Sequence, residues 1–314
     1  MKPNILVVCG PTASGKTALA VALARRFGGE VVSADSMQVY RRMNIGTAKP
    51  TQEEMQGIPH HMLDVADPEE NYSVARYVQS AVPIVDDILA RGRLPIVAGG
   101  TGLYIDNLVA GRQFAPFQPD NGLREQLQAR VRSEGLPALR VHLEQADPEA
   151  AAKIHPNDEK RTLRALEVWL STGKTISQHD RESRELPNRY APLTIALNFQ
   201  QRPWLWDRID RRVDEMMARG LEREVRALLD SGVPRTCTAM QAIGYKEISA
   251  AISEGRPAAE GAEEVKLRSR QYAKRQLTWF RRNKEANWFN WEKIPDISAA
   301  AAFSTELVKA SGLQ

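Results

Sequence analysis

The sequence predicts an α/β protein: a P-loop NTPase-like parallel sheet flanked by helices, with an all-helical domain inserted into it. Three observations predict this. The apolar run Ile5–Val8 leads directly into a glycine loop and a helix-prone segment. Similar β-prone runs alternate with helical patterns as far as Gly100, the order of a parallel sheet covered on both faces. Beyond Phe114 the strands stop, and polar, Arg/Glu-rich helical patterns continue to about Tyr190.

Each element has its own signal. Ile5-Leu6-Val7-Val8 is continuously apolar, as a strand buried on both faces must be. Thr17–Arg26 is Ala/Leu-rich, and Gly28-Gly29 stops it. Val31–Ala34 reads as a second strand. Ser73–Arg91 repeats apolar residues at three and four, with Pro83 expected to kink it. Leu94–Ala98 is a third strand, ending in Gly99-Gly100. Helices are expected over Leu123–Ser133, Leu136–Gln145 and Asp158–Ser171, the last closed by Gly173. Leu193–Leu197 returns to strand. Trp204–Ala218 and Glu222–Leu229 are amphipathic, Gly261–Arg282 is a long basic helix, and a terminal helix follows Pro295. The expected organisation is a core of residues 1–114 and 193–314 and a helical insertion of residues 115–192.

Composition narrows the class. Hydrophobic residues are 42% and charged residues 26% of 314, which excludes a disordered tail, a fibrous repeat and a disulfide scaffold. The net charge of +4 permits an anionic partner without demanding one. Two distant cysteines, Cys9 and Cys237, fit a reducing cytoplasm. No apolar run approaches the roughly 20 residues of a membrane helix, and Ile5–Cys9 is too short for a signal-peptide core. A cytoplasmic location and no membrane partner are expected.

Gly10-Pro11-Thr12-Ala13-Ser14-Gly15-Lys16-Thr17 matches G-x-x-x-x-G-K-[ST] in full. The glycines let backbone N–H groups converge on one concavity, and the helix that follows adds its positive end. Lys16 supplies a mobile cation, and the Thr17 hydroxyl can hold Mg2+. The motif implies a phosphate or diphosphate ligand and does not choose between them. A motor-type NTPase carries a metal-holding Asp at the end of another core strand, whereas Leu94–Ala98 ends in Gly99-Gly100-Thr101-Gly102. A kinase or a transferase of a diphosphate ester remains. Asp35 and Thr101 both follow strand ends, where ligands of parallel sheets collect. Asp35 is a candidate general base or a turn-forming Asp, and Thr101 is a site residue or a plain turn residue.

The ordered set of motifs resembles the bacterial tRNA dimethylallyltransferases over nearly the whole chain. It comprises the phosphate loop, Asp35-Ser36-Met37-Gln38-Val39-Tyr40, Gly46-Thr47-Ala48-Lys49-Pro50 and Pro59-His60-His61. It continues with Gly99–Tyr104, His155-Pro156-Asn157-Asp158, Arg161–Glu167, Gln241–Lys246 and Lys274–Arg281. The resemblance implies transfer of a dimethylallyl group from dimethylallyl diphosphate to a tRNA adenosine. The target would be the exocyclic amine of the adenosine 3′ of the anticodon, in tRNAs reading U-starting codons, and the product isopentenyladenosine. It further implies that the loop holds the diphosphate with Lys16 and a Thr17-bound Mg2+, that Asp35 takes the amine proton beside Thr101, and that Arg208 binds diphosphate. Arg212 competes for that last role, and a salt-bridged surface arginine is the bland reading.

A target base stacked in an anticodon loop must be flipped out to react. The candidate tRNA contacts are Asp35, Ser36, Met37, Gln38 and Thr101; Lys160, Arg161, Thr162, Leu163 and Arg164 on the insertion; Gln241, Gly244, Tyr245 and Lys246; and Lys274, Arg275 and Arg281. The last three belong to Lys266–Lys284, a run with basic residues at 266, 268, 270, 274, 275, 281, 282 and 284 and no acid before Glu285. RNA contact is the favoured reading of its charge, and core packing that of its aromatics Tyr272, Trp279 and Phe280. His60-His61 is expected to pack a loop rather than bind metal. The partners expected are the tRNA anticodon stem-loop and dimethylallyl diphosphate, with the chain acting as a monomer. The alternatives are an adenylate isopentenyltransferase acting on free AMP, ADP or ATP, against which the insertion and the basic stretch weigh, and a small-molecule kinase.

Overall fold

The computed structural model describes residues 2–112, 121–185 and 187–312. Six parallel strands form one sheet: β1 (Asn4–Cys9), β2 (Glu30–Ser33), β3 (His60–His61), β4 (Pro95–Gly99), β5 (Ala191–Phe199) and β6 (Asn287–Trp291), in the order β3-β2-β4-β1-β5-β6. The central strand is sorted by its pleat. Ile5, Val7 and Cys9 enter one apolar core, and Leu6 and Val8 enter the core on the opposite face. That is why its sequence is apolar without alternation.

The flanking helices are α1 (Lys16–Phe27), α2 (Gln52–Met55), α3 (Val74–Ala90) and α4 (Gly102–Ala110), then α10 (Arg202–Ala218), α11 (Leu221–Asp230), α12 (Tyr245–Ser253), α13 (Ala258–Phe280) and α14 (Ile297–Ala310). Pro83 lies inside α3. Between α4 and β5 come α5 (Asn121–Glu134), α6 (Leu136–Ala146), α7 (Pro148–Lys153), α8 (Glu159–Thr172) and α9 (Ile176–Glu185). None of the helices described is long and apolar enough to cross a membrane.

The chain divides into two compact units, Met1–Gly111 with Arg189–Gln314, and Arg112–Asn188. The junction expected at Phe114–Ala115 lies outside the described residues. The sheet-bearing unit resumes at Arg189, and β5 begins at Ala191, ahead of the Leu193 from which the strand was expected. Tyr190 donates its hydroxyl to Asp86 at 2.8 Å and its N–H to the Val109 carbonyl at 3.1 Å. The Ala191 N–H bonds the Pro3 carbonyl at 2.8 Å, so pairing with β1 starts there. The helical unit has its own core of Leu127, Leu139, Leu143, Ala151, Leu163, Ala165 and Leu166.

Two strands escape sequence reading. β3 is two residues long, with no room for a periodic signal. β6, Asn-Trp-Phe-Asn-Trp, is an edge strand whose Phe289 and Trp291 pack on the α14 side, while Trp288 packs against the opposite core and Asn290 is exposed. The His60-His61 pair is part of this sheet's other edge. His61 Nε2 lies 2.8 Å from the buried Glu30 carboxylate, and His60 Nδ1 lies 2.8 Å from the Ile58 carbonyl.

Candidate active site

The register aligns the ends of the central strands: Cys9 with Gly99 and Ala196, and Ser33 with Ala98. The turns that follow β1, β2 and β4 therefore open at one edge of the sheet, where parallel α/β folds gather their ligands.

The phosphate loop needs its glycines. Gly10 has φ 147°, and a side chain there would meet the Leu197 carbonyl oxygen at 2.6 Å. Gly15 caps α1 in the left-handed region at φ 84°. Ala13 also lies there, at φ 61°, a strain that surrounding bonds must hold. Those bonds exist. The Trp291 indole donates to the Ser14 carbonyl at 2.8 Å. Arg208 Nε donates to the Ala13 carbonyl at 3.1 Å, and Arg212 Nη1 to the Thr12 hydroxyl at 3.1 Å. The Thr12 N–H donates to Gln276 Oε1 at 2.9 Å. Lys16 folds back and donates to the Pro11 carbonyl at 2.7 Å. Burial, followed by the charge of Arg212, pushes the Lys16 ammonium down to about 8.

Asp35 is held by a turn of its own making. Its Oδ1 accepts the N–H groups of Met37 at 2.9 Å and Gln38 at 3.3 Å. Thr101 Oγ1 accepts the Ser36 N–H at 3.1 Å and donates to Ser36 Oγ at 3.3 Å. Gln38 spends its amide on the protein, accepting from Ser33 and donating to the Thr47 and Ala48 carbonyls. These bonds brace the Gly46–Pro50 segment, whose Thr47 faces the cavity.

Two adjoining chambers open here. The first, about 400 Å³, is lined by the phosphate loop, Asp35, Arg208, Arg212 and Gln276. The second, about 300 Å³, is walled by Met37, Ile209, Val213, Met216, Ile243 and Val265, with Asp35 and Ser36 at its polar side. Thr12, Asp35, Thr47, Arg212, Met216 and Tyr272 border both. Arg208 and Arg212, one helical turn apart on α10, both face the loop, so the structure brings in the two competitors together. Thr101 touches Ser36 but lines neither chamber.

Tyr272 and Gln276 are the residues that sequence reasoning missed. Both sit on α13, four apart, inside the basic run. Tyr272 borders both chambers, and burial, then the Asp35 charge, pushes its phenol up to about 12. Core packing is the role expected for the aromatics of this helix. It holds for the buried Phe280 and not for Tyr272. The signal that could have found the pair is the i, i+4 spacing of two polar side chains on one face of a long helix.

Several expected RNA contacts are interior residues. Thr162 is 0% exposed and Leu163 2%, and Leu163 is part of the core of the helical unit. Tyr245 is 0% exposed; its hydroxyl donates to Glu224 at 2.5 Å and its ring lies where any side chain on Gly46 would go. Gly244 is buried, with its N–H on the Glu247 carboxylate at 2.8 Å. These four support surfaces rather than form them. Lys160, Arg161 and Arg164 are exposed, with Arg161 paired to Asp158 at 3.4 Å and Arg164 to Glu167 at 3.0 Å. Gln241 and Arg275 border the second chamber, and Lys246, Lys274 and Arg281 are exposed. The basic run is also partly neutralised. Lys266 pairs with Asp214 at 2.7 Å and Arg270 with Asp210 at 2.6 Å, both acids lying on α10. Sequence distance hid those acids.

A parallel sheet whose first strand feeds a phosphate loop, with a carboxylate at the next strand end and two arginines over the loop, defines a P-loop-like α/β transferase. The chain belongs to the IPP transferase family, whose family model matches residues 38–283. It is 48% identical over 290 residues to a tRNA dimethylallyltransferase of Caldanaerobacter subterraneus subsp. tengcongensis, covering 92% of each chain. To that of Halalkalibacterium halodurans it is 46% identical, covering 94% of this chain and 93% of the other. Among solved structures it is similar to the full-length tRNA isopentenylpyrophosphate transferase of Bacillus halodurans, with TM-score 0.73, 42% identity and 99% coverage of both chains. It is also similar to a eukaryotic dimethylallyltransferase acting on tRNA, with TM-score 0.79 and 29% identity, covering 98% of this chain and 80% of that one.

Proposed function

We propose that this chain is a tRNA dimethylallyltransferase. It moves the dimethylallyl group of dimethylallyl diphosphate to the exocyclic amine of the adenosine 3′ of the anticodon, in tRNAs that read codons starting with U. One observation carries the reading: a single carboxylate, Asp35, borders both a cation-rich chamber and an apolar one. The first chamber suits the diphosphate, with Lys16, Arg208 and Arg212 balancing charge as the allylic C–O bond breaks. The second suits a flipped base presented to the allylic carbon. The amine attacks that carbon, a C–N bond forms, diphosphate departs, and the amine proton passes to Asp35. Its Oδ2 makes no hydrogen bond to the described residues. Alignment carries much of the rate, because an adenine amine is a weak nucleophile. Thr101 acts from behind Ser36, orienting the segment that carries Asp35.

The loop fits Mg2+. Thr17 lines the first chamber, and the buried Ser14 Oγ lacks a hydrogen-bond partner among the described residues. Thr17 would hold the ion, which when bound offsets the charge of the leaving diphosphate. Lys160, Arg161 and Arg164 on the helical unit, and Gln241, Lys246, Lys274, Arg275 and Arg281 on the sheet unit, are the proposed tRNA contacts, together with Ser36, Met37 and Gln38. The proposed acting form is the monomer. A tRNA substrate assigns the work to the cytoplasm.

The free-nucleotide reading is not favoured, since curated relatives covering more than nine-tenths of this chain are named for tRNA. The test incubates the protein with dimethylallyl diphosphate and either unmodified tRNA or AMP, followed by mass analysis of the nucleosides. Isopentenyladenosine in the anticodon loop is expected; modification of AMP alone overturns the tRNA assignment.

A further inference from the structure

We infer that Gln276 is the positioning residue that sets the shape of the diphosphate cradle. The inference rests on the reading of the phosphate loop as the diphosphate site. Gln276 is only 6% exposed, although it sits on a largely solvated helix. Both ends of its amide are spent on backbone from two different strand ends. Oε1 accepts the Thr12 N–H at 2.9 Å, and Nε2 donates to the Gly100 carbonyl at 2.9 Å. An unmade bond at either buried group would leave a bare backbone polar atom beside the chamber.

The geometry has three consequences. First, Gln276 closes a bridge between the loop after β1 and the turn after β4, elements that the sheet itself holds only through their strands. Second, the bond commits the Thr12 N–H to Gln276, at the wall of the first chamber. Together with Arg212 on the Thr12 hydroxyl, it anchors the residue preceding the strained Ala13. Third, the fit demands a glycine opposite, since a side chain on Gly100 would lie 2.2 Å from Gln276 Nε2. Tyr272, one turn away, faces both chambers, so α13 carries a wall residue and the clamp in the same register. Gln276 borders the first chamber, but both ends of its amide are committed to the Thr12 N–H and the Gly100 carbonyl. It acts through the loop.

The test uses the full-length protein with inorganic pyrophosphate as the probe. Gln276→Met keeps the length and removes both hydrogen bonds. Gln276→Glu keeps an acceptor for Thr12 and, when ionised, removes the donor to Gly100. Titration calorimetry is expected to show pyrophosphate bound by the wild type and weakened about tenfold in Gln276→Met, the scale of losing a buried hydrogen-bond pair. In steady state the KM for dimethylallyl diphosphate rises by a similar factor, while the KM for tRNA stays within about twofold. Gln276→Glu is expected to regain donor affinity as the pH falls, because the protonated acid can donate to Gly100. That rescue also serves if Gln276→Met does not fold. Pyrophosphate affinity within twofold of wild type in a folded Gln276→Met, or equal losses in both KM values, overturns the positioning role. Absence of pyrophosphate binding by the wild type instead overturns the diphosphate reading beneath it.

Discussion

Asp35 owes its place to the two N–H groups it accepts, not to any neighbouring side chain. A substitution that keeps the turn therefore isolates its chemistry. Asp35→Asn is expected to lower kcat by roughly 10²–10⁴, the range for a general base, with the donor KM and tRNA affinity little changed. Single-turnover kinetics check this, and a near-normal rate removes Asp35 from the role of base. Lys16 offers a second test. It sits among Arg212, Asp35 and Cys9, and burial holds its ammonium down to about 8. Below that pH it is charged and ready for an anion; above it, binding must first take up a proton. Pyrophosphate affinity should therefore acquire a fall with rising pH, of up to about tenfold per unit above pH 8. Comparing wild type with Lys16→Met separates this from titration of the ligand. A pH profile of the same shape in both proteins contradicts the assignment. Asp35 and Lys16 were legible because each sits at a fixed offset from a strand end. Tyr272 and Gln276 were not, because their roles depend on which way a distant helix faces.

At the scale of elements, the segment that walls the site is set by neighbours from far along the chain. Glu224 of α11 accepts the N–H groups of Asn44, Ile45 and Gly46, and Tyr245 of α12 fills the space above Gly46. Gly46→Ala would place a methyl group 2.5 Å from the Tyr245 ring and 2.9 Å from Leu221. The expected cost is about 1–3 kcal/mol of stability, seen as a lower urea midpoint, with a raised KM. An unchanged midpoint would mean that the segment moves freely. The far end of the sheet gives a pH test. Glu30 on β2 is 3% exposed and is bonded by Arg91 and His61, with Arg93 at 3.3 Å. First the Arg91 hydrogen bonds, and then that to His61, bring its carboxyl down to about 2 against an ordinary 4.5. A depressed acid stabilises the fold above its unfolded value and loses that contribution as pH falls toward the folded one. The wild type should thus lose on the order of 3 kcal/mol at most between pH 4.5 and 2 that Glu30→Gln does not. Parallel denaturation curves for the two proteins across that window would refute the linkage.

For the whole molecule, the basic run divides into two kinds of residue. Lys266 and Arg270 are tied to Asp214 and Asp210, so neutralising them should lower stability more than RNA affinity. Lys274, Arg275 and Arg281 are exposed. Replacing these three with Gln should flatten the salt dependence of tRNA binding by about 0.7–0.9 for each phosphate that is no longer neutralised. An unaltered slope in filter-binding titrations would return them to plain surface. The sequence by itself determined the strand–loop–helix start, the helical insertion, the phosphate loop and the acid after β2. Those signals are local: a run of apolar residues, a glycine where φ is positive, a motif at fixed spacing. Only the tertiary structure decided that Tyr245, Thr162 and Leu163 are interior, that Arg208 and Arg212 both reach the loop, and that α13 clamps it through Gln276. Burial and pairing between segments far apart in the chain are properties of packing, and no local spacing encodes which face of a helix the packing will choose.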